Sequence, residues 1–310
     1  MVKISVIIPA YNAERTILET LESVQKQTFS DFEVIVIDDG STDRTRELAE
    51  GIADKRVQVF SYPNGGMCVA RNRGISHATG DFIAPLDSDD LWTPDKLELQ
   101  LAALQKHPDA GVAYSWTSDF LDGQEEISCR YDPVLFEGNV LPELLIRNFL
   151  NSGSNPLIHR KALESVGEFD PACTLCADWD FYLRLALHWP FVVVPKYQIR
   201  YRLSPYSSSA KVQAIEKDGL FTIEKVYKMV PPELQSLKGQ TLGDFYQYCA
   251  QQYLRYGKNV SEINQAAPRI WKAIRLHPPI LLGDYAQGLI RWFIKKWIFM
   301  QVETYRRKVI

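Results

Sequence analysis

Two periodicities alternate along the first 90 residues. Val2–Ile8 (VKISVII) is a short β-branched run that stops at Pro9, and Phe32–Ile37, Val57–Phe60 and Asp81–Leu86 repeat the pattern. Between them, Ala13–Gln27 carries Ile17, Leu18, Leu21 and Val24 at helical spacing, and Thr42–Ala53 and Gly66–Ala78 read as two further helices. Strands rich in Ile and Val that alternate with helices predict βαβ units. The expected fold is therefore α/β, with a Rossmann-like, mostly parallel sheet flanked by helices.

After Trp92 the pattern loosens. Thr93-Pro94 predicts a helix start, with Leu97, Leu101 and Leu104 on one face and proline in the first turn. Gly111–Tyr114, Phe191–Val194 and Gln198–Leu203 read as strands, Trp179–Leu187 as a helix, and Asn151–His159 as polar and then apolar. Beyond the Ser-rich run from Ser204 to Ser209 the sequence is helical throughout. The expected division is an α/β domain over residues 1–205 and an α-helical C-terminal extension over 206–310.

The last predicted helix runs from Tyr285 to about Lys308 and contains WFIKKWIFM. Leu289, Ile290, Phe293, Ile294, Trp297 and Met300 share one sector, whereas Trp292 and Phe299 fall on the charged side. Six basic residues and one acid, Glu303, lie between Arg291 and Lys308. Such a segment fits the interface of an anionic membrane, with Trp292 and Trp297 at the headgroups; packing on the rest of the protein or on a second subunit is the alternative.

Composition narrows the class. Hydrophobic residues make up 46% and charged residues 24% of the 310, with a net charge of −3, an ordinary globular mixture that gives no reason to expect nucleic acid as a ligand. No uncharged apolar run approaches the length of a bilayer span, and Met1–Val6 enters a strand-like run without a signal-peptide pattern. Five scattered cysteines fit a reducing compartment, so a cytoplasmic location is expected, peripheral on a membrane's inner face if the last helix is used in that way. Cys173-x-x-Cys176 lacks the second pair that zinc needs and reads as incidental.

The chemistry gathers where the predicted strands end, which is where open parallel sheets bind ligands. The first strand ends in Pro9-Ala10-Tyr11-Asn12, the second in Asp38-Asp39-Gly40-Ser41-Thr42-Asp43 and the fourth in Asp87-Ser88-Asp89-Asp90. Helix capping accounts for single members, with Ser41 or Asp43 before one helix and Asp90 or Thr93 before the next. It does not account for a whole row of carboxylates. There is no G-x-x-x-x-G-K-[ST] and no G-x-G-x-x-G after the first strand. An EF-hand loop from Asp87 fails at Leu91 and Trp92. An open site remains, in which Asp87-Ser88-Asp89 is a D-x-D able to hold Mg²⁺ or Mn²⁺ while leaving places for phosphate oxygens.

Taken together, these segments resemble glycosyltransferase family 2, whose nucleotide-sugar-binding fold is GT-A. SVIIPAYNAERTILETLESVQKQT, FEVIVIDDGSTDRT, NGGMCVARNRGISHATGDFIAPLDSDDLWTPDKLE, VGEFDP and ADWDFYLRLAL carry the resemblance over roughly the first 200 residues. It implies a metal-dependent inverting transfer of a sugar from a nucleoside diphosphate, usually UDP, to a hydroxyl on a carbohydrate, lipid-linked or protein acceptor. By the same resemblance Pro9, Tyr11, Asp39, Arg71 and Asp87 bind the nucleotide. Asp87 and Asp89 hold the Mn²⁺ or Mg²⁺, with Asp89 the more direct ligand, and Asp178 is the base.

Trp179, beside that base, is a candidate sugar platform or else an ordinary core tryptophan. Asn151–Asn155 reads either as acceptor-cleft lining or as a polar loop. Two positions depart from the family pattern. Ala177 stands where many members have Glu, and Ser204 or a neighbour stands where many have His. Two rival readings follow: a nucleotidyltransferase, although PAYNAERT lacks the Gly-rich basic loop usual there, and a non-catalytic sugar-nucleotide-binding protein.

Overall fold

The computed structural model describes residues 3–121, 127–130, 133–204 and 211–309, and side chains for all of these except 127–130 and 303–309. It divides into two compact units: residues 1–144 with 148–204, and residues 145–147 with 205–310. Residues 205–210, on which the expected boundary falls, lie outside the described residues.

The first unit is built on one mixed sheet. β1 (Ile4–Ala10) lies between β2 (Phe32–Asp38) and β4 (Phe82–Pro85), parallel to both, and β3 (Val57–Ser61) extends the parallel part beyond β2. All seven residues of β1 and of β2 are buried, as expected of strands covered on both faces. α1 (Ile17–Gln25), α2 (Thr45–Glu50) and α3 (Met67–His77) make the crossovers. Beyond β4 the sheet turns antiparallel through β8 (Leu157–His159) to β6 (Val112–Leu121), then continues with β9 (Phe191–Leu203) parallel to β6 and β5 (Leu91–Trp92) at the edge.

Among the elements that differ from expectation, three lie beside the D-x-D or its neighbouring strands. The two strands predicted over 191–203 are one strand, because the chain passes Pro195 by slipping register: Ser115 pairs with Val194, and Trp116 with Tyr197. Pro195, which has no N–H to give, is thereby left out of the ladder. Leu91–Trp92 pairs antiparallel with Ile199–Arg200 directly after the D-x-D, a strand too short to show in the pattern. α4 (Lys96–Lys106) starts after Asp95, so neither Asp90 nor Thr93 caps it; the Thr93 hydroxyl donates to Asp95 instead (2.8 Å).

The second unit is helical, as expected. α8 (Val212–Val226), α9 (Lys238–Tyr256), α11 (Ala266–Leu276) and α12 (Asp284–Val309) supply most of it, with the short α10 (Val260–Asn264) between α9 and α11. Leu289 of α12 is buried among Val212, Ala250, Leu254 and Ile263, and Phe293 and Met300 pack on the same cluster. The stripe expected to meet a membrane therefore faces, in large part, the unit's own core. Among the described residues no helix is long and apolar enough to cross a membrane.

Lys96, the first residue of α4, is fully buried, and its Nζ lies 3.8 Å from the centre of the Trp92 ring with no hydrogen-bond partner. Burial pushes its pKa well below that of an ordinary lysine. The unfolded lysine binds a proton up to about pH 10, whereas the folded one releases it earlier. This residue therefore makes stability rise with pH between its lowered folded pKa and the unfolded value, by at most about 1.4 kcal/mol per pH unit. Lys96→Met is expected to raise stability near neutral pH by about 1–3 kcal/mol and to flatten that slope. Urea midpoints measured from pH 7 to about pH 9.5 check both; a variant that is less stable with an unchanged slope contradicts the assignment.

Candidate active site

The parallel strands bring their carboxyl ends to one rim, and each end is tied down by the loop that follows. Pro9 is buried inside β1 opposite Ile37, and Tyr11, just past the strand, is 53% exposed. Asn12 adopts φ +49°; its Oδ1 accepts from the Thr42 N–H (2.8 Å) and its own N–H donates to Ser41 Oγ (3.0 Å). Asp38 accepts from the Ser41 N–H (3.1 Å) and the Ser61 hydroxyl, so it closes its own turn. Gly40 has φ +76°, and a Cβ there would meet the Asn64 backbone nitrogen at 2.8 Å. Asp43 holds loops rather than capping a helix by itself: it accepts from the N–H groups of Thr45 (2.9 Å) and Glu14 (3.1 Å).

Asp39 is nearly buried. Its carboxylate accepts from Gly65 N–H (2.9 Å), Gly66 N–H (2.8 Å) and Arg73 Nη1 (3.0 Å). These bonds fix the entry to α3, whose N-terminal N–H groups favour negative charge. The expected nucleotide ligand is thus held by its own chain, and it in turn holds the loop that starts α3.

The D-x-D follows β4. Asp87 Oδ1 accepts from Nη2 of Arg71 at 2.5 Å, and Arg71, one turn into α3, is 1% exposed. Its guanidinium lies 5.1 Å from the Phe169 ring centre, while Nε and Nη1 have no hydrogen-bond partner. Phe169, of the VGEFDP segment, is secured by a reciprocal pair with the Asn72 side chain (2.9 Å each way). Gly153 lets the ion pair sit where it does: a Cβ there would meet Arg71 Nη2 at 2.5 Å and Asp87 Oδ2 at 3.0 Å, so the pair would have to shift.

Asp90 is not a polar lead-in to α4. It is fully buried, with Oδ2 accepting from Ser154 Oγ (2.6 Å) and Ser152 Oγ (3.1 Å) and Oδ1 from Arg202 N–H (3.1 Å). Burial, with the charges of Asp89 and Asp87 close by, pushes its pKa well above the carboxylate range. Asp89 is part-exposed, and its carbonyl accepts from Arg202 Nε (2.7 Å).

Asp178 occupies the first turn of α7 (Ala177–Ala186), part-buried, with Oδ2 accepting from Asn148 Nδ2 (3.0 Å). Burial raises its pKa; the Arg71 charge opposes the rise and the Asp87 charge adds to it. Ala177 is buried, so the position where many family members carry an acid offers this chain's alanine a dry environment. Trp179 is 6% exposed and its indole N–H donates to the Leu144 carbonyl (2.8 Å), which favours the core reading of the two that the sequence left open.

The sequence reading missed four positioning residues. Ser154 Oγ accepts from the Asp87 N–H (3.0 Å) while donating to Asp90, and Ser152 joins it on Asp90. The Tyr182 hydroxyl donates to the Ser152 carbonyl (3.0 Å), and Asn148 holds Asp178. Ser152–Asn155 is therefore neither an open cleft lining nor a solvated loop; it is a buried strap under the D-x-D. Its one visible signal is the run of small residues, Ser152-Gly153-Ser154, which suits close approach.

As for metal donors, Asp87 and Asp89 offer hard carboxylate oxygens at a rim, and among the described residues no group of three or more His, Cys, Asp or Glu could hold an ion. The donor set fits an open site with two protein ligands rather than a cage. Cys68, Cys173 and Cys176 are buried, and the Cys68 thiol donates to the Cys173 carbonyl (3.3 Å).

Residues 5–167 match Glycosyl transferase family 2. An uncharacterized glycosyltransferase of Rickettsia felis is 41% identical over 145 residues, 46% of this chain and 24% of the relative; the chain thus spans about a quarter of that relative's length. The UDP-Glc:alpha-D-GlcNAc-diphosphoundecaprenol beta-1,3-glucosyltransferase WfgD of Escherichia coli is 32% identical over 169 residues, 51% of this chain and 66% of the relative. Among solved structures, S. aureus TarS 1-349 superposes with a TM-score of 0.59 at 20% identity, covering 99% of this chain and 92% of that one. The mannosyltransferase PcManGT from Pyrobaculum calidifontis, solved with GDP-Man and Mn2+, gives 0.59 at 18% identity, covering 96% and 86%. Those two likenesses are of fold. Because the family match extends over more than half of its residues, the chain belongs to glycosyltransferase family 2, and its helix-flanked sheet is the GT-A type expected from the sequence.

Proposed function

We propose that the protein transfers a sugar, with inversion, from a UDP-linked donor to a hydroxyl acceptor, with Asp178 as the base. The observation that carries the reading is the state of Asp178: a part-buried carboxylate of raised pKa, held by Asn148, within electrostatic reach of Arg71 and Asp87. A base of that kind is a better proton acceptor than an exposed aspartate. Its Oδ1 takes the proton of the acceptor hydroxyl, and Asn148 keeps Oδ2 engaged so that the carboxylate does not rotate. Attack from the face opposite the leaving group gives inversion.

On the donor side, the Arg71–Asp87 ion pair fixes the end of β4. Tyr11, exposed beyond β1, is suited to stack on a base. Asp89, with Asp87, would hold Mg²⁺ or Mn²⁺, which when bound neutralises the negative charge of the diphosphate leaving group. The UDP-Glc in the name of the E. coli relative supports a UDP-linked donor and a lipid-linked acceptor.

Asp178→Asn is expected to lower the transfer rate by about 10²–10⁴-fold while leaving nucleotide affinity unchanged, and Asp89→Ala to lose both transfer and metal-dependent nucleotide binding. Coupled detection of released nucleoside diphosphate and titration calorimetry separate the two. Pyrophosphate release would indicate nucleotidyl transfer, and full activity in Asp178→Asn would remove the base. With Asp178 intact, the acid limb of kcat should lie above the ordinary aspartate range: a raised pKa means that the base is lost to protonation earlier on acidification.

Gly153→Ala gives a second test, since its methyl group would force Nη2 of Arg71 away from Asp87. A donor at a hundred times its Kd should stabilise the native protein by about 2.7 kcal/mol. Thermal shifts in UDP-sugars with Mn²⁺ should show that stabilisation, and the alanine variant should lose most of it at the same donor concentration. An unchanged shift in the variant argues against a donor role for the pair.

A further inference from the structure

The last helix uses one side for the core of its own unit and leaves an unusual surface on the other. Leu289, Phe293 and Met300 pack inward. Opposite Phe293, at helical spacing, lie Arg291, Lys295, Ile298 and Val302, flanked by Ile294 on one side and by Trp292 and Phe299 on the other. All seven are exposed, Phe299 to 63% and Ile298 to 51%. This surface extends about 15 Å along the axis, from residue 292 to 302. Isolated exposed apolar residues need no explanation, but a contiguous band of large ones on a single helix does.

Charge selects the partner. Between Tyr285 and Val302 the sequence has three basic residues, Arg291, Lys295 and Lys296, and no acid, within a chain whose net charge is −3. A second copy packed symmetrically on this face would set Arg291 and Lys295 against their own counterparts with no acid to pair them. An anionic lipid surface suits both features at once. Trp292 and Phe299 enter the headgroup region, while Arg291 and Lys295 extend their aliphatic stems along the apolar surface and place their charges on the lipid phosphates. No helix among the described residues is suited to span the bilayer, so the mode is lying on it.

We propose that the outward face of α12, centred on Trp292, Lys295, Ile298 and Phe299, docks the protein on an anionic membrane surface. The face overlaps only in part with the stripe that the sequence offered: Leu289, Phe293 and Met300 of that stripe pack on the core, while Ile294, with Trp292 and Phe299 from the side that looked charged, stays exposed. The proposal stands apart from the glycosyl-transfer reading and does not depend on it.

The test is flotation of the full chain with vesicles of phosphatidylglycerol in phosphatidylcholine, compared with phosphatidylcholine alone. Wild type is expected to float with the anionic vesicles only, less so at high salt. Arg291→Glu with Lys295→Glu should weaken the association by about 30-fold or more, and Trp292→Ser with Phe299→Ser should abolish it. Unchanged thermal unfolding, together with unchanged nucleotide binding, verifies that the variants are folded. Wild type that stays with the buffer, binding equal on neutral vesicles, variants that bind like wild type, or a dimer in sedimentation velocity that the variants dissolve would each overturn the proposal.

Discussion

The site depends on one buried ion pair. Arg71 cannot shed its charge and is almost fully enclosed, so the structure must supply a counter-charge beside it. Asp87 is that counter-charge, 2.5 Å away at the end of β4. The pair dictates what surrounds it. Residue 153 has no room for a side chain, Phe169 offers its ring to the guanidinium, and the Asp87 N–H is held by Ser154. Removing Asp87 would strand the Arg71 charge in a dry setting, which costs several kcal/mol.

The same pair resolves the crowding of three carboxylates within four residues. Asp87 is neutralised by Arg71. Asp90 is drawn inward onto two serine hydroxyls and a backbone N–H, where burial favours its protonated form. Asp89 stays part-exposed at the rim. Repulsion in the run is thus relieved by giving each member a different environment, and only part of the cluster remains to meet a ligand.

Much of this was legible in the chain and part was not. The parallel strands were, since a β-branched run covered on both faces leaves a plain mark, and so was the convergence of the D-x-D with Arg71 and Asp178, through the family's motifs. Asp90's role was hidden because its partners lie 62, 64 and 112 residues further on. β9 looked like two strands because a proline ordinarily breaks a ladder, and the register slip that accommodates Pro195 leaves no local sign. Trp179 beside Asp178 had two meanings in sequence, and only its burial and its bond to Leu144 separate them.

The strap Ser152–Asn155 has a further consequence for how the enzyme can be altered. Its residues face the core on one side and the D-x-D on the other, so a change of side chain there disturbs folding and donor geometry together. Tyr11, by contrast, is 53% exposed. A library meant to change substrate preference would therefore lose most of its members if it were drawn around the strap. Drawn around the exposed residues beyond β1, it would keep its scaffold.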